Sequence, residues 1–183
     1  CALRIGVNCG SVDPNKNQEG VDPLQAMLES ALEHCELLDR LGFTRYCVSL
    51  KDSDPARVVE VNRRFAAERP DVPLHLGVTH AGPPETGRIR SIAALGSLLA
   101  MGIGDTIRIS YAADPVFEAQ DAKELLCSLG LKSRTEPELI ACPTCGRIEI
   151  DLIKLVAEVR QKLASIKTPV KVAVMGCVVN GPG

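Results

Sequence analysis

Between residues 3 and 130 the chain alternates two hydrophobic rhythms. Short runs in which every second residue is apolar give way to longer runs with apolar positions three and four apart. The first rhythm predicts a strand and the second an amphipathic helix. Strands are expected at about 3–8 (LRIGVN), 44–50 (TRYCVSL), 74–79 (LHLGVT) and 106–111 (TIRISY), and helices at about 23–41, 55–68, 88–101 and 115–129. In the first helix Leu24, Leu28, Ala31, Cys35 and Leu38 form one stripe for burial. Three helices open on Asp-Pro (Asp22-Pro23, Asp54-Pro55, Asp114-Pro115), a capping carboxylate followed by a ring suited to the first helical turn. Gly42, Gly102 and Gly130 stand where helices should stop.

Four strand–helix units in series predict a parallel sheet with right-handed crossovers. Two α/β architectures use such units, the open doubly wound sheet and the (β/α)8 barrel. The strand faces choose between them. Leu3, Ile5 and Val7 oppose Arg4, Gly6 and Asn8; Tyr46, Val48 and Leu50 oppose Cys47, Ser49 and Lys51. Leu74, Leu76 and Val78 oppose His75, Gly77 and Thr79; Ile107 and Ile109 oppose Thr106, Arg108 and Ser110. A doubly wound sheet is covered on both sides and should be apolar on both. One apolar and one polar face fits half of a TIM-type (β/α)8 barrel better, over residues 1–130.

A polar linker at 131–137 leads to a second, smaller α/β region at 138–183. Its expected order is a strand at 138–141, a CxxC loop, a helix at about 149–165 and a strand at 170–175 that runs into Cys177. Both cysteine-bearing loops then follow strands, which sets them at one sheet edge.

Composition narrows the function classes. The 183 residues are 45% hydrophobic, enough for a sizeable core, and the formal net charge is −2. That balance carries no footprint of a nucleic-acid or anionic-membrane partner. No apolar run is long enough to span a bilayer, and no signal peptide is visible. The chain begins with Cys1 rather than Met and enters a strand almost at once, so it reads as a piece cut from a longer chain, truncated at both ends. Eight cysteines scattered through helices and strands, with one CxxC, point to a reducing, cytoplasmic compartment and to metal or redox use.

Cys142, Cys145 and Cys177 are the candidate ligands. Zinc wants four Cys or His ligands, and no histidine follows His80. An iron–sulfur cluster accepts thiolates with a different group on one iron. A redox dithiol needs only the pair, at a helix start. All three readings stay open on spacing. Cys35 and Cys127 read as core residues, and Cys47, Cys9 and Cys1 have no partner pattern.

On the polar strand face stand three cations, Arg4, Lys51 and Arg108, with Asn8, Ser49, Thr79 and Ser110 beside them. Burying three cations together is costly without an anion. A phosphate or diphosphate supplies one, and barrels hold such groups at the C-terminal strand ends. The competing reading is internal ion pairing with acidic groups on strands outside this piece of the chain. His80 ends its strand, where an acid or base could act; His75 and His34 have weaker claims. Asp105 reads as a turn residue, and GPPETGR as a mobile loop beside the site.

In order along the chain, RIGVN, SLKDSD, LHLGVT, GIGDTIRIS, ACPTCGR and GCVVNGPG closely resemble the 4-hydroxy-3-methylbut-2-enyl diphosphate synthases. These act at the penultimate step of the methylerythritol phosphate route to isoprenoids. The resemblance implies a (β/α)8 barrel, with residues 1–130 as its second, C-terminal half, joined to a [4Fe–4S] domain of the sulfite/nitrite-reductase kind. It implies reductive opening of 2-C-methyl-D-erythritol 2,4-cyclodiphosphate with electrons from ferredoxin or flavodoxin, by a homodimer in the full-length enzyme. By motif, Cys142, Cys145 and Cys177 carry over as cluster ligands, and Arg4, Asn8, Lys51, Arg108 and Ser110 as the diphosphate site. The fourth ligand of the family is a glutamate directly after NGPG, beyond Gly183. Many relatives have Glu where this chain has His80, and a fragment lacking that ligand and the first half of the barrel is expected to be inactive. Outside the resemblance, the alternative is a zinc-stabilised α/β phosphate-binding module without redox catalysis.

Overall fold

The structure, a computed structural model, describes residues 1–12 and 22–181. The described elements are, in order, β1 (Leu3–Asn8), α1 (Pro23–Arg40), β2 (Tyr46–Lys51), α2 (Pro55–Glu68), β3 (His75–Gly77), α3 (Pro84–Ala100), β4 (Thr106–Arg108), α4 (Pro115–Ser128), β5 (Glu138–Ala141), α5 (Leu152–Leu163) and β6 (Lys171–Val174). They divide into two compact units, Cys1–Leu131 and Lys132–Gly183.

In the first unit β1 pairs parallel with β2, and β3 parallel with β4. Val48 bridges Leu74, and the Thr79 N–H donates to the Asp52 carbonyl at 3.1 Å, so β2 runs beside β3. Spatial order thus follows chain order, as in a singly wound barrel wall and unlike a doubly wound sheet. The helices cover one face. Met27, Leu28, Ala31 and Cys35 of α1 and Val58, Val61 and Phe65 of α2 are buried with Val48, Leu50 and Leu76 of the strands. Each such large apolar side chain contributes about 1.5–3 kcal/mol on burial.

The punctuation works as the residue types demand. Asp22, Asp54 and Asp114 accept from the N–H groups of Leu24, Ala56 and Val116 at 2.9–3.0 Å, satisfying donors that the first helical turn cannot. Gly42, Gly102 and Gly130 adopt φ of 67°, 74° and 71°. After each, the N–H of Phe43, Ile103 or Leu131 reaches back to the carbonyl of Leu38, Leu98 or Leu126. Only glycine takes that left-handed turn without strain.

Two expectations need correction. The GPPETGR segment is not a loop: α3 starts at Pro84, with Pro83 as its cap residue. Pro84 presets the helical φ and lacks an N–H that the first turn could not pair, while the N–H groups of Thr86 and Gly87 donate to the Pro83 carbonyl. Paired ladder is also shorter than the alternation suggests. β3 ends at Gly77, beyond which the chain keeps company with β2 but not with β4.

In the second unit β5 and β6 are parallel, with Ala141 opposite Val174. Helix α5 begins at Leu152 rather than 149, capped by Asp151. The residues before it are used otherwise: the Glu149 N–H donates to the Gly176 carbonyl and that of Ile148 to Cys145. They tie the CxxC loop to the strand that leads to Cys177.

Candidate functional site

Register sorts the uncovered face of the first unit into levels. Arg4 is opposite Cys47 at the lowest. Gly6 pairs with Ser49, and His75 with Thr106; the Val48–Leu74 bridge sets these four level. One step up, Asn8 pairs with Lys51 and Gly77 with Arg108. Thr79 and Ser110 follow at the C-terminal ends. Although Arg4 stands on the lowest level, Arg4, Lys51 and Arg108 line one cleft of about 230 Å³ with Asn8, Ser49, Thr79, His80 and Ser110.

No carboxylate pairs with Arg4, Lys51 or Arg108 among the described residues. Internal pairing within these residues is therefore not what offsets the three charges. The burial argument applies unevenly, however: Arg4 and Arg108 are exposed, and Lys51 alone is half-buried. Burial, then the positive charges of Arg4 and Arg108, hold the Lys51 ammonium below the usual lysine range. The cleft is a cationic cup, and its natural complement is an anion with several oxygens.

Two histidines differ in standing. His80 lines the cleft with φ of 49°, the one non-glycine residue in the left-handed region among those described. The turn after β3 aims it there, at a conformational cost that clusters at functional positions. His75 lies a level below Lys51 and Arg108 and a level above Arg4. Its Nδ1 is 2.8 Å from Thr106 Oγ1, and its Nε2 is buried without a partner. Burial, followed by Lys51, Arg4 and Arg108, pushes its imidazole below the ordinary value.

In the second unit the Cys142 N–H donates to the Val174 carbonyl, extending the β5–β6 ladder to the first cysteine. Cys177 follows β6 at the same edge, and the Asn180 amide donates to Cys142 Sγ at 3.5 Å. The backbone therefore brings the CxxC loop and the Cys177 loop to one edge. Among the described residues, no three Cys, His, Asp or Glu side chains are gathered closely enough to hold one metal ion. Pro182 and Gly183, the end of the GCVVNGPG motif, lie outside the described residues. Of the other cysteines, Cys35 is fully buried as expected, while Cys127 is only partly so.

Sequence reasoning gave little weight to His75 and none to Gly77. The signal for both was the strand alternation, which sets them on the same face as the cations.

Both units match models of one protein family. Residues 1–123 match the GcpE TIM-barrel domain and residues 138–183 the GcpE protein C-terminal domain; the chain belongs to the GcpE family. It is 53% identical, over its full length, to the 4-hydroxy-3-methylbut-2-en-1-yl diphosphate synthase (flavodoxin) of Aquifex aeolicus. It is 49% identical to the proteins of that name from Caldanaerobacter subterraneus and Listeria monocytogenes, over 99% of the chain in each case. It spans about half the length of these curated relatives, 51%, 51% and 49%. Among the described residues, no helix is long and apolar enough to cross a membrane.

Proposed function

We propose that this chain supplies the diphosphate-holding strand ends and the thiolate-bearing unit of a 4-hydroxy-3-methylbut-2-enyl diphosphate synthase. The observation that carries the reading is the convergence of Arg4, Lys51 and Arg108 in one cleft without a carboxylate. The substrate is 2-C-methyl-D-erythritol 2,4-cyclodiphosphate. Arg4 and Arg108 grip phosphoryl oxygens through paired N–H donors, and Lys51 adds a point charge from the wall. Asn8 and Ser110 complete the cradle with neutral hydrogen bonds. His80, at the rim, is placed to hold or pass a proton where the ring opens.

Cys142, Cys145 and Cys177 would hold a [4Fe–4S] cluster. Their chemistry fits: thiols are its usual ligands, and an amide N–H such as that of Asn180 toward a ligand sulfur is a known lever on cluster potential. Three cysteines leave one iron for another group, which the motif resemblance assigns to a glutamate after Gly183. Bound there, the cluster would supply single electrons for a reduction that takes up two electrons and two protons and releases water. The names of the relatives make flavodoxin the donor of first choice, with ferredoxin the alternative.

The reading is tested by anaerobic reconstitution of the protein, with iron, sulfide and zinc assayed beside calorimetric titration with inorganic pyrophosphate. About four irons and four sulfides per chain, together with salt-sensitive pyrophosphate binding, support it. Tight zinc in place of iron would convert the reading to a zinc-stabilised phosphate-binding module.

A further inference from the structure

Gly77 stands level with Lys51 and Arg108 in the strand register, between the two, and its backbone does not require glycine. Its φ lies outside the left-handed region, and it occupies an ordinary strand position. Glycine weakens a strand there, since a β-branched residue would pack and order the ladder better. Its occurrence marks a close approach. A Cβ built on Gly77 would lie 2.9 Å from both Cε and Nζ of Lys51, and 3.1 Å from the Arg108 carbonyl oxygen.

Lys51 thus lies down across β3 rather than extending into water. The register makes this possible by setting Lys51 and Gly77 on neighbouring strands at one level, with Arg108 beside them on β4. The ammonium has no carboxylate and no hydrogen-bond acceptor among the described residues. Nothing polar holds it there; the bare backbone of Gly77 leaves the slot in which it rests. From that slot the charge stands beside the Arg108 strand, inside the cleft shared with Arg4.

We propose that Gly77 is a positioning residue of the anion site: its missing side chain forms the shelf that keeps the Lys51 ammonium against the sheet, where it faces a bound phosphoryl group. The inference rests on the phosphate reading of the cleft. A methyl group at position 77 meets mainly the far end of a flexible side chain, so the fold tolerates it while the ammonium is pushed off the wall. The affinity lost is that of one charge-assisted contact, about tenfold or more.

The experiment is a double-mutant cycle on the 183-residue chain, with inorganic pyrophosphate as ligand and folding checked by circular dichroism. Gly77→Ala is expected to weaken binding about tenfold in the wild-type background and to change nothing in a Lys51→Ala background. Equal losses in both backgrounds, or no loss in either, overturn the proposal. A second readout needs no ligand. The 13Cε resonance of Lys51 is expected to titrate below the ordinary lysine value in the free chain and to return toward it in Gly77→Ala. An unchanged titration overturns the proposal, whereas absence of pyrophosphate binding by the wild type would overturn the phosphate reading instead. Should Gly77→Ala fail to fold, the paired variant Lys51→Ala/Gly77→Ala, which removes the side chain that the methyl meets, is expected to fold. If it does not, the shelf is structural and the proposal falls.

Discussion

Nδ1 of His75 lies 2.8 Å from Oγ1 of Thr106, its ladder partner on β4, while Nε2 is buried with nothing to bond. The imidazole is held below its ordinary value of 6.5 by burial and by Lys51, Arg4 and Arg108. In the window between the folded value and 6.5, the unfolded chain binds more protons at this site than the folded chain. Stability therefore rises with pH across that window, and the penalty is fully present below it. Denaturant midpoints of the wild type and His75→Gln, compared at about pH 5 and pH 7.5, test this. The wild type should lose more stability on acidification than the variant, and equal losses would contradict it.

The carboxylate of Asp105 accepts the Leu74 N–H at 2.8 Å, while the N–H groups of Asp105 and Thr106 donate to the Leu74 carbonyl. The residue stitches the start of β4 to β3. Asp105→Ala leaves a buried donor without a partner and should cost about 1–3 kcal/mol. Asp105→Asn, which keeps an acceptor, should cost less. Urea unfolding followed by circular dichroism measures both.

Much of the first unit was legible because its signals are local. The Asp-Pro caps, the glycine stops and the α1 stripe depend on neighbours within a turn of helix, and they appear where the residue types put them. The strand faces were legible too, since a period of two sorts Arg4, Lys51 and Arg108 together before any strand is paired. What could not be read was anything set between strands. How far β3 pairs with β4, how deep Lys51 lies, and why position 77 is glycine all depend on register, which period alone leaves undetermined. The proline pair was misread because Pro-Pro signals a turn as readily as a helix start.

Gly104 has φ of 114°, and a Cβ there would overlap Cγ and Cδ1 of the fully buried Leu76. Unlike position 77, this site demands glycine twice, by backbone and by space. Gly104→Ala should destabilise the first unit by about 2–4 kcal/mol or prevent its folding. Thermal unfolding beside Gly77→Ala gives the contrast, with the position 104 variant the less stable of the two.

If the three paired-loop cysteines hold iron, substitution should discriminate among cysteines that composition cannot tell apart. Cys142→Ser, Cys145→Ser and Cys177→Ser should each lower iron and sulfide content after anaerobic reconstitution. Cys127→Ser, in α4, should leave both unchanged. Loss of iron from the Cys127 variant alone would disprove the assignment.

Sequential strand order has a consequence for how the first unit comes into being. Each ladder described in this unit joins strands separated by a single helix, so each of these pairings is local in the chain. Loop-closure entropy is met in several small steps rather than one large one. During synthesis, β2 can dock on β1 as soon as β2 itself has left the ribosome, and each later strand on the one before it. The wall of the cationic cup is therefore laid in the order in which it is translated, with Arg4 placed first and Arg108 last.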